Sequence, residues 1–348
     1  MHPLAPGQTD EIQQDPAKRK TMDRGLTRRN LMIATSALTL FPWPLLAQPW
    51  RPSQPVRIIV AAAPGGTLDI HARAAQPVLS SHLNQALIVE NQGGGAGLVA
   101  TQTVARSAPD GLTQMVASGD GLILQDILVG ARHGRPASKL RPVTMTITAA
   151  QLLCTHPRSG IRNIDDYLLA LRTRGDKVTL AVPGIGGIAH IISEMVNRAL
   201  GLTVTHVPYR GGGPATIDLL AGQVDAQIIT LPAVTTYVRE GRLIPLAVST
   251  LQRDPAMPNV PTFAESGIPG FDVPSTQGIL VPLETPDHIV DVWYRAWKVA
   301  LDDPGVKQRL QALGFVIHAS TPAQFDKVLK DAEKRFAEVI AAAGIKGE

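Results

Sequence analysis

From residue 56 onward the chain alternates short β-branched runs with longer amphipathic ones, and glycine-rich turns recur where the first kind gives way to the second. Residues 56–63, 87–91 and 113–118 read as strands, with helices at 69–83 and 97–107 between them. That rhythm is the signature of a parallel α/β sheet. It resumes with strands near 151–155, 178–182, 203–207, 223–229 and 244–249 and helices near 164–174, 189–200, 214–221 and 233–240. The expectation is therefore an α/β protein of two lobes, each built on its own sheet. Residues 250–274 carry Pro255, Pro258, Pro261, Pro269 and Pro274 and read as a long surface connection. One more strand follows at 278–281, then helices opened by Pro286, Pro304 and Pro322, a residue tolerated in a first turn.

Residues 1–47 stand apart from this pattern. Lys18, Arg19, Lys20, Arg24, Arg28 and Arg29 precede a short apolar run at 31–40, an export-signal arrangement too short to span a membrane. Arg28-Arg29 directly before that run resembles a twin-arginine signal, and an ordinary secretory signal fits the same residues; both lead out of the cytoplasm, to a periplasmic location. Cleavage after Ala47 leaves 27 basic and 25 acidic residues, a net charge of +2, which gives no footing for nucleic acid. Twelve aromatic residues remain after that cut, too few for stacked platforms around a sugar or a single strand. The single cysteine, Cys154, makes an internal disulfide impossible and reads as core.

Three loops carry the chemistry. Residues 63–69 include Pro64, Gly65, Gly66, Thr67 and Asp69; residues 183–189 include Gly184, Gly186 and Gly187; residues 206–214 include Pro208, Tyr209, Arg210 and Gly211. Each joins a strand to a helix, where glycine lets a ligand approach and free helix amides attract an anion. In open α/β sheets such loops gather at the carboxyl ends of strands, where ligands bind. His71 and His190 fall in the first turn of their helices and are either ligand contacts or half-exposed helix residues, and Asp69 is either a contact or a cap. Gly184, Gly186 and Ala189 also match the dinucleotide fingerprint G-x-G-x-x-A, which keeps a nucleotide-cofactor-dependent enzyme as the alternative. Against it, the acidic residue expected about twenty positions on is replaced by Tyr209 and Arg210. The chain has no H-E-x-x-H, G-x-S-x-G or Walker loop, so no enzyme, metal or cofactor is expected.

Six motifs in order then resemble one family. They are Pro55-Val56-Arg57-Ile58-Ile59-Val60 leading into Pro64-Gly65-Gly66-Thr67-Leu68-Asp69; Val89-Glu90-Asn91 with its glycine loop; and Ala108-Pro109-Asp110-Gly111. The others are His206-Val207-Pro208-Tyr209-Arg210-Gly211, Ala221-Gly222-Gln223-Val224-Asp225 and Val260-Pro261-Thr262-Phe263-Ala264-Glu265-Ser266-Gly267. The chain is similar to the Bug family, extracytoplasmic solute receptors of tripartite tricarboxylate transporters. The resemblance implies a hinged periplasmic binding protein, acting as a monomer, that closes on a small carboxylate, its amide or a related polar metabolite for uptake or sensing, with membrane subunits of a tripartite transporter as partners where uptake is the role. It implies a first lobe of residues 48–147 plus 276–348 and a second of 148–275. It also implies a carboxylate clamp between Gly65, Gly66, Thr67 and Asp69 on one side and residues 184–187 on the other, with residues 208–211 near the rest of the ligand. Three departures stand out. Gly187 occupies a position where the family usually carries a serine or threonine at or next to it, Ser275-Thr276-Gln277-Gly278 lacks the usual tryptophan, and Arg132-His133-Gly134-Arg135-Pro136 replaces a tyrosine-aspartate connection.

Overall fold

A computed structural model of the protein describes residues 50–94, 97–209 and 211–346. The export segment and Arg210 lie outside the described residues. Strand β1 (Val56–Val60) passes through the first glycine turn into helix α1 (Thr67–Leu83), followed by β2 (Leu87–Asn91), α2 (Leu98–Ala105), β3 (Thr113–Ser118) and α3 (Gly119–Leu128). Strand β4 (Leu140–Ala149) then runs into β5 (Gln151–Thr155) with only Ala150 between them. A second series follows: α4 (Ile164–Arg174), β6 (Thr179–Val182), α5 (Ile188–Leu200), β7 (Thr205–Pro208), α6 (Gly212–Ala221), β8 (Ala226–Thr230), α7 (Leu231–Arg239) and β9 (Ile244–Val248). The chain returns through β10 (Ser275–Pro282) and ends with α8 (Asp287–Asp302), α9 (Pro304–Ala312), β11 (Val316–Ile317) and α10 (Pro322–Ala343).

Two sheets result, with strand orders β11-β4-β10-β3-β1-β2 and β7-β6-β8-β5-β9. The α/β class and the two-sheet plan agree with the sequence; the parallel character does not hold throughout. Strand β1 pairs parallel with β2 and β3, and β6 with β7 and β8. In contrast, β10 is antiparallel to β3 and β4, β11 to β4, and β5 to β8 and β9. The reason is the crossing between sheets. Strand β4 carries the chain out of the first sheet and β10 brings it back, with Ser275 opposite Ala149 and Thr276 opposite Thr148, so the outgoing and returning strands run in opposite senses.

Strand β4 has no counterpart among the sequence expectations, because its buried positions include threonines. Thr144 and Thr146 are fully buried, and their hydroxyls donate to the carbonyls of Ser320 at 2.8 Å and Gln277 at 3.0 Å. The strand expected at 223–229 begins later, at Ala226, because Gly222 with φ 73° caps α6 and turns the chain first.

The alternation of a strand sends successive residues to opposite faces. In the first sheet Val56, Ile58 and Val60 meet α1 and the buried Trp293 and Trp297, while Ile59, Met115 and Leu280 meet α2 and Phe325. In the second, Leu153, Leu180 and Ile228 pack against α4 and α5, and Leu152, Ala181 and Ile229 against α6 and α7. Cys154 is buried in that last cluster, where burial pushes its thiol up to about 12. Helix α10 serves both lobes: Phe325 near its start belongs to a core of the first sheet, Phe336 and Ile340 near its end to a core of the second.

Candidate functional site

The first two glycine loops have the same local construction. Gly65 and Gly186 sit at φ 79° and 73°, a conformation that favours glycine, and Gly66 and Gly187 follow at −75°, 169° and −72°, 167°. In each loop the first glycine donates its N–H to a side chain four residues on: Gly65 to Asp69 Oδ2 at 2.9 Å, Gly186 to His190 Nδ1 at 3.0 Å. The second glycine donates weakly backward, Gly66 to the Ala63 carbonyl and Gly187 to that of Gly184, both at 3.4 Å. Position by position, Thr67 in the first loop corresponds to Ile188 in the second.

This assigns the buried pair Asp69 and His190 to the loops themselves. Asp69 Oδ1 also accepts from Arg73 at 2.8 Å and Asn91 at 2.9 Å, so its carboxylate is occupied from both sides. Burial pushes its pKa up, and the Gly65 amide, Asn91 and Arg73 together outweigh that and hold it below the usual value. We expect Asp69→Ala to lower the unfolding free energy in urea by about 2–3 kcal/mol, because Gly65 and Asn91 lose their acceptor. Asp69→Asn, which retains an acceptor oxygen, is expected to lose less than half of that; equal losses in the two variants would refute the assignment.

His190 stacks edge-on with His206 at 4.4 Å between ring centres, and Glu194 approaches both rings, at 3.8 Å and 3.6 Å. The spacing suits a metal ion, since one donor atom from each lies within 4.8 Å of the others. The hydrogen bonding argues otherwise. Because His190 Nδ1 accepts the Gly186 N–H, the neutral ring carries its proton on Nε2, which then has no lone pair for a metal. Burial lowers both histidines, His206 to about 4 with His190 adding to the effect, and raises Glu194 against the pull of Arg198. The cluster packs as a buttress behind the second loop.

In front of the loops lies a crevice of about 280 Å³. Thr67 from the start of α1 faces Gly187, Ile188 and Ala189 at the start of α5, with Gly212 opening α6 and Thr230 and Ala233 flanking the start of α7. Four helix N-termini thus converge on one space, and neither Gly66 nor Gly187 supplies a side-chain cap to the first two. Leading amides and the helix dipoles make such a place favourable for negative charge. Gln277 Nε2 donates to Thr67 Oγ1 at 3.2 Å, which leaves the threonine hydroxyl free to donate its own proton. Across the second loop, Gly184, Gly186 and Gly187 also line a chamber of about 450 Å³.

The remaining expected residues divide. Pro64 and Gly65 are exposed on the first loop beside Thr67, and Pro208 is exposed at the end of β7. The Tyr209 hydroxyl donates to Asp218 at 2.8 Å, and burial together with that carboxylate pushes it up to about 12. Gly211 caps α6 at φ 110°, next to Gly212 in the crevice. His71 is fully buried 5.6 Å from Trp297, and burial takes its pKa down to about 3; Gln277 opposes this slightly, though outside hydrogen-bonding geometry. It contacts the core instead of the crevice. Gln151, Thr230 and Gln277 escaped the sequence reading, since their strands meet only through pairings more than a hundred residues apart or across the second sheet.

A larger groove of about 820 Å³ lies between α3, β4 and α10, away from both loops. Its charges are paired, Arg135 with Glu333 at 2.9 Å and Lys330 with Asp326 at 2.6 Å, and Thr321 closes the α10 terminus with a capping box. Among the described residues of its lining, the other charged side chains are paired too, Asp126 with Arg135 and Arg141 with Asp287.

The family model for the tripartite tricarboxylate transporter family receptor matches residues 71–345. This chain belongs to that receptor family. The receptor is 30% identical to Protein BugT of Bordetella pertussis over 326 residues, covering 93% of this chain and 99% of BugT. Among solved structures, the periplasmic binding protein BugD superposes with a TM-score of 0.75 at 28% identity, covering 85% of this chain and all of BugD. A Rhodopseudomonas palustris protein with adipate superposes at 0.78, also with 28% identity, over 85% of this chain and 99% of its own. The two-lobed α/β architecture is thus that of the periplasmic binding proteins, and the family resemblance of the six motifs holds.

Proposed function

We propose that this receptor closes its two lobes on a small carboxylate in the periplasm and presents it to the membrane subunits of a tripartite transporter, with no chemical step and no cofactor. The observation that carries the reading is the convergence of four helix N-termini, two from glycine loops of matching geometry, on a crevice of ligand size. Contacts from both sides favour the closed state, and excluding water strengthens each charge-assisted hydrogen bond.

In this reading residues 1–47 are the export signal, residues 48–147 plus 276–348 form the first lobe and 148–275 the second, with the end of α10 crossing to pack into the second lobe's core. The hinge is the paired crossing of β4 and β10, and the receptor works as a monomer. Gly66, Thr67 and Gly187 contact the acid, with Ile188 and Ala189 contributing amides. Gly65, Asp69, Gly186 and His190 hold the loops in shape. Pro64, Gly184, Pro208, Tyr209 and Gly211 border the site.

The test is the melting temperature of the purified chain with single carboxylates. At a hundredfold excess over Kd, binding adds about 2.7 kcal/mol, which raises the melting point by several degrees. At least one small acid is expected to do so, while nicotinamide dinucleotides leave it unchanged. A shift with the dinucleotides alone would establish the enzyme alternative in its place.

A further inference from the structure

The chamber beyond the second glycine loop differs in character from the crevice. Its wall is formed by Leu98, Leu124, Leu128, Val129, Ile185 and Ile188, and it shares Pro183, Gly187 and Ile188 with the crevice, so the two spaces adjoin across one loop. The polar side chains on its lining are Ser118, Gln125 and the exposed His133. The Ser118 hydroxyl oxygen is already engaged, accepting the Gly121 amide at 3.1 Å as the cap of α3. No lysine or arginine among the described residues lines either space.

The first residue of α2, Leu98, and the Ser118-capped start of α3 also reach the chamber, but its lining side chains are mainly hydrocarbon. A ligand reaching from crevice to chamber therefore meets the uncapped α1 and α5 amides at one end and a largely apolar wall at the other. A second carboxylate carried into the chamber would be desolvated without a cation, which is far more costly than burying a methyl group or ring edge. We infer that the acid recognised here has a single charged end, held at the crevice, and an uncharged, largely apolar remainder that fills the chamber. The inference rests on the acid-binding reading above and narrows it to monocarboxylates with a ring or a medium-length chain. It separates this receptor from its relative of known structure that holds adipate, a diacid.

Calorimetric titration of the full chain with matched acids tests it. Adipate carries a carboxylate where hexanoate ends in a methyl group, and terephthalate one where benzoate has a ring hydrogen. The monoacid of a pair is expected to bind at least about tenfold tighter, the factor set by an unpaired buried carboxylate. Ile185→Arg, on the exposed side of the loop, supplies the missing cation and is expected to move the ratio at least about tenfold toward the diacid. A diacid binding as tightly as its monoacid in the unsubstituted protein overturns the inference. So does a ratio that Ile185→Arg leaves unchanged, because the far end would then lie elsewhere. If none of these four acids binds while another small acid raises the melting temperature, the inference falls and the acid-binding reading stands; if no acid does either, both fall.

Discussion

Alanine at Gly278 is expected to cost at least about 3 kcal/mol of stability, although its added methyl is the smallest change a glycine can undergo. Gly278 lies in β10 opposite Ala117 of β3 and Met145 of β4, at the centre of the first sheet. Its φ is not in the left-handed region, so the requirement for glycine is one of space. A Cβ there would sit 2.4 Å from two carbons of the Phe325 ring and 2.8 Å from the backbone carbonyl of Thr144. Phe325 is itself fully buried and the carbonyl belongs to a paired strand, so neither yields cheaply. Gly270→Ala is the control: φ is 75° with nothing within 4 Å of the new methyl, and the expected loss is only about 1 kcal/mol, from backbone strain. Phe325→Ala alone should cost about 3–5 kcal/mol through the cavity it leaves. The double variant should lose less than the sum by more than about 1 kcal/mol, since each change makes room for the other. Urea unfolding of the four variants and the unsubstituted chain decides it, and a loss below about 1 kcal/mol for Gly278→Ala would contradict the packing argument.

Gly278 also illustrates where sequence reasoning reaches its limit. The local rhythm that defines β1, α1, β2 and β3 is a property of neighbouring residues, and so is the glycine turn ahead of α1 or α5. Those elements and both loops were legible. Strand β4 was not, because its buried threonines look polar until Ser320, Gln277 and the rest of the sheet arrive to bond them. The antiparallel pairing of β4 with β10 joins residues some 130 positions apart and leaves no trace in either strand alone. At the site, the sequence left Asp69 open as a ligand contact or a helix cap, and His190 as a contact or a half-exposed helix residue. Their spacing serves the loops: four residues is the reach from Gly65 to Asp69 and from Gly186 to His190. The crevice's polar partners Gln151 and Thr230 come together only through the pairing of β5 with β8, with Gln151 Nε2 donating to Thr230 Oγ1 at 3.1 Å.

Asp120 is expected to give the protein an inverted acid dependence near the crossing strands. It lies in the first turn of α3, 3% exposed, where Oδ2 accepts the Thr276 N–H at 2.8 Å and Oδ1 the Thr276 hydroxyl at 3.3 Å. It thereby fastens α3 to the second residue of β10, where the chain re-enters the first sheet. Burial raises its pKa from 3.8 to about 6, opposed by the Thr276 amide and hydroxyl and, less strongly, by Arg335 on α10. A carboxyl whose folded pKa is raised holds its proton more tightly folded than unfolded. Its contribution is then fully present below about pH 4 and is lost as pH rises through about 6. A shift of this size corresponds to on the order of 2–3 kcal/mol. Asp120→Asn removes the titration and keeps the bonds, because the amide oxygen accepts the Thr276 N–H and its NH₂ donates to the hydroxyl oxygen. Measured by urea unfolding, the stability of the Asn variant relative to the unsubstituted chain should rise by on the order of 2–3 kcal/mol between pH 4 and pH 8. Carboxylates elsewhere titrate alike in both proteins and cancel in the difference. A difference flat across that range would mean that Arg335 and Thr276 together hold Asp120 ionised at its ordinary pKa, and that a full charge is stabilised at the point where the two lobes join.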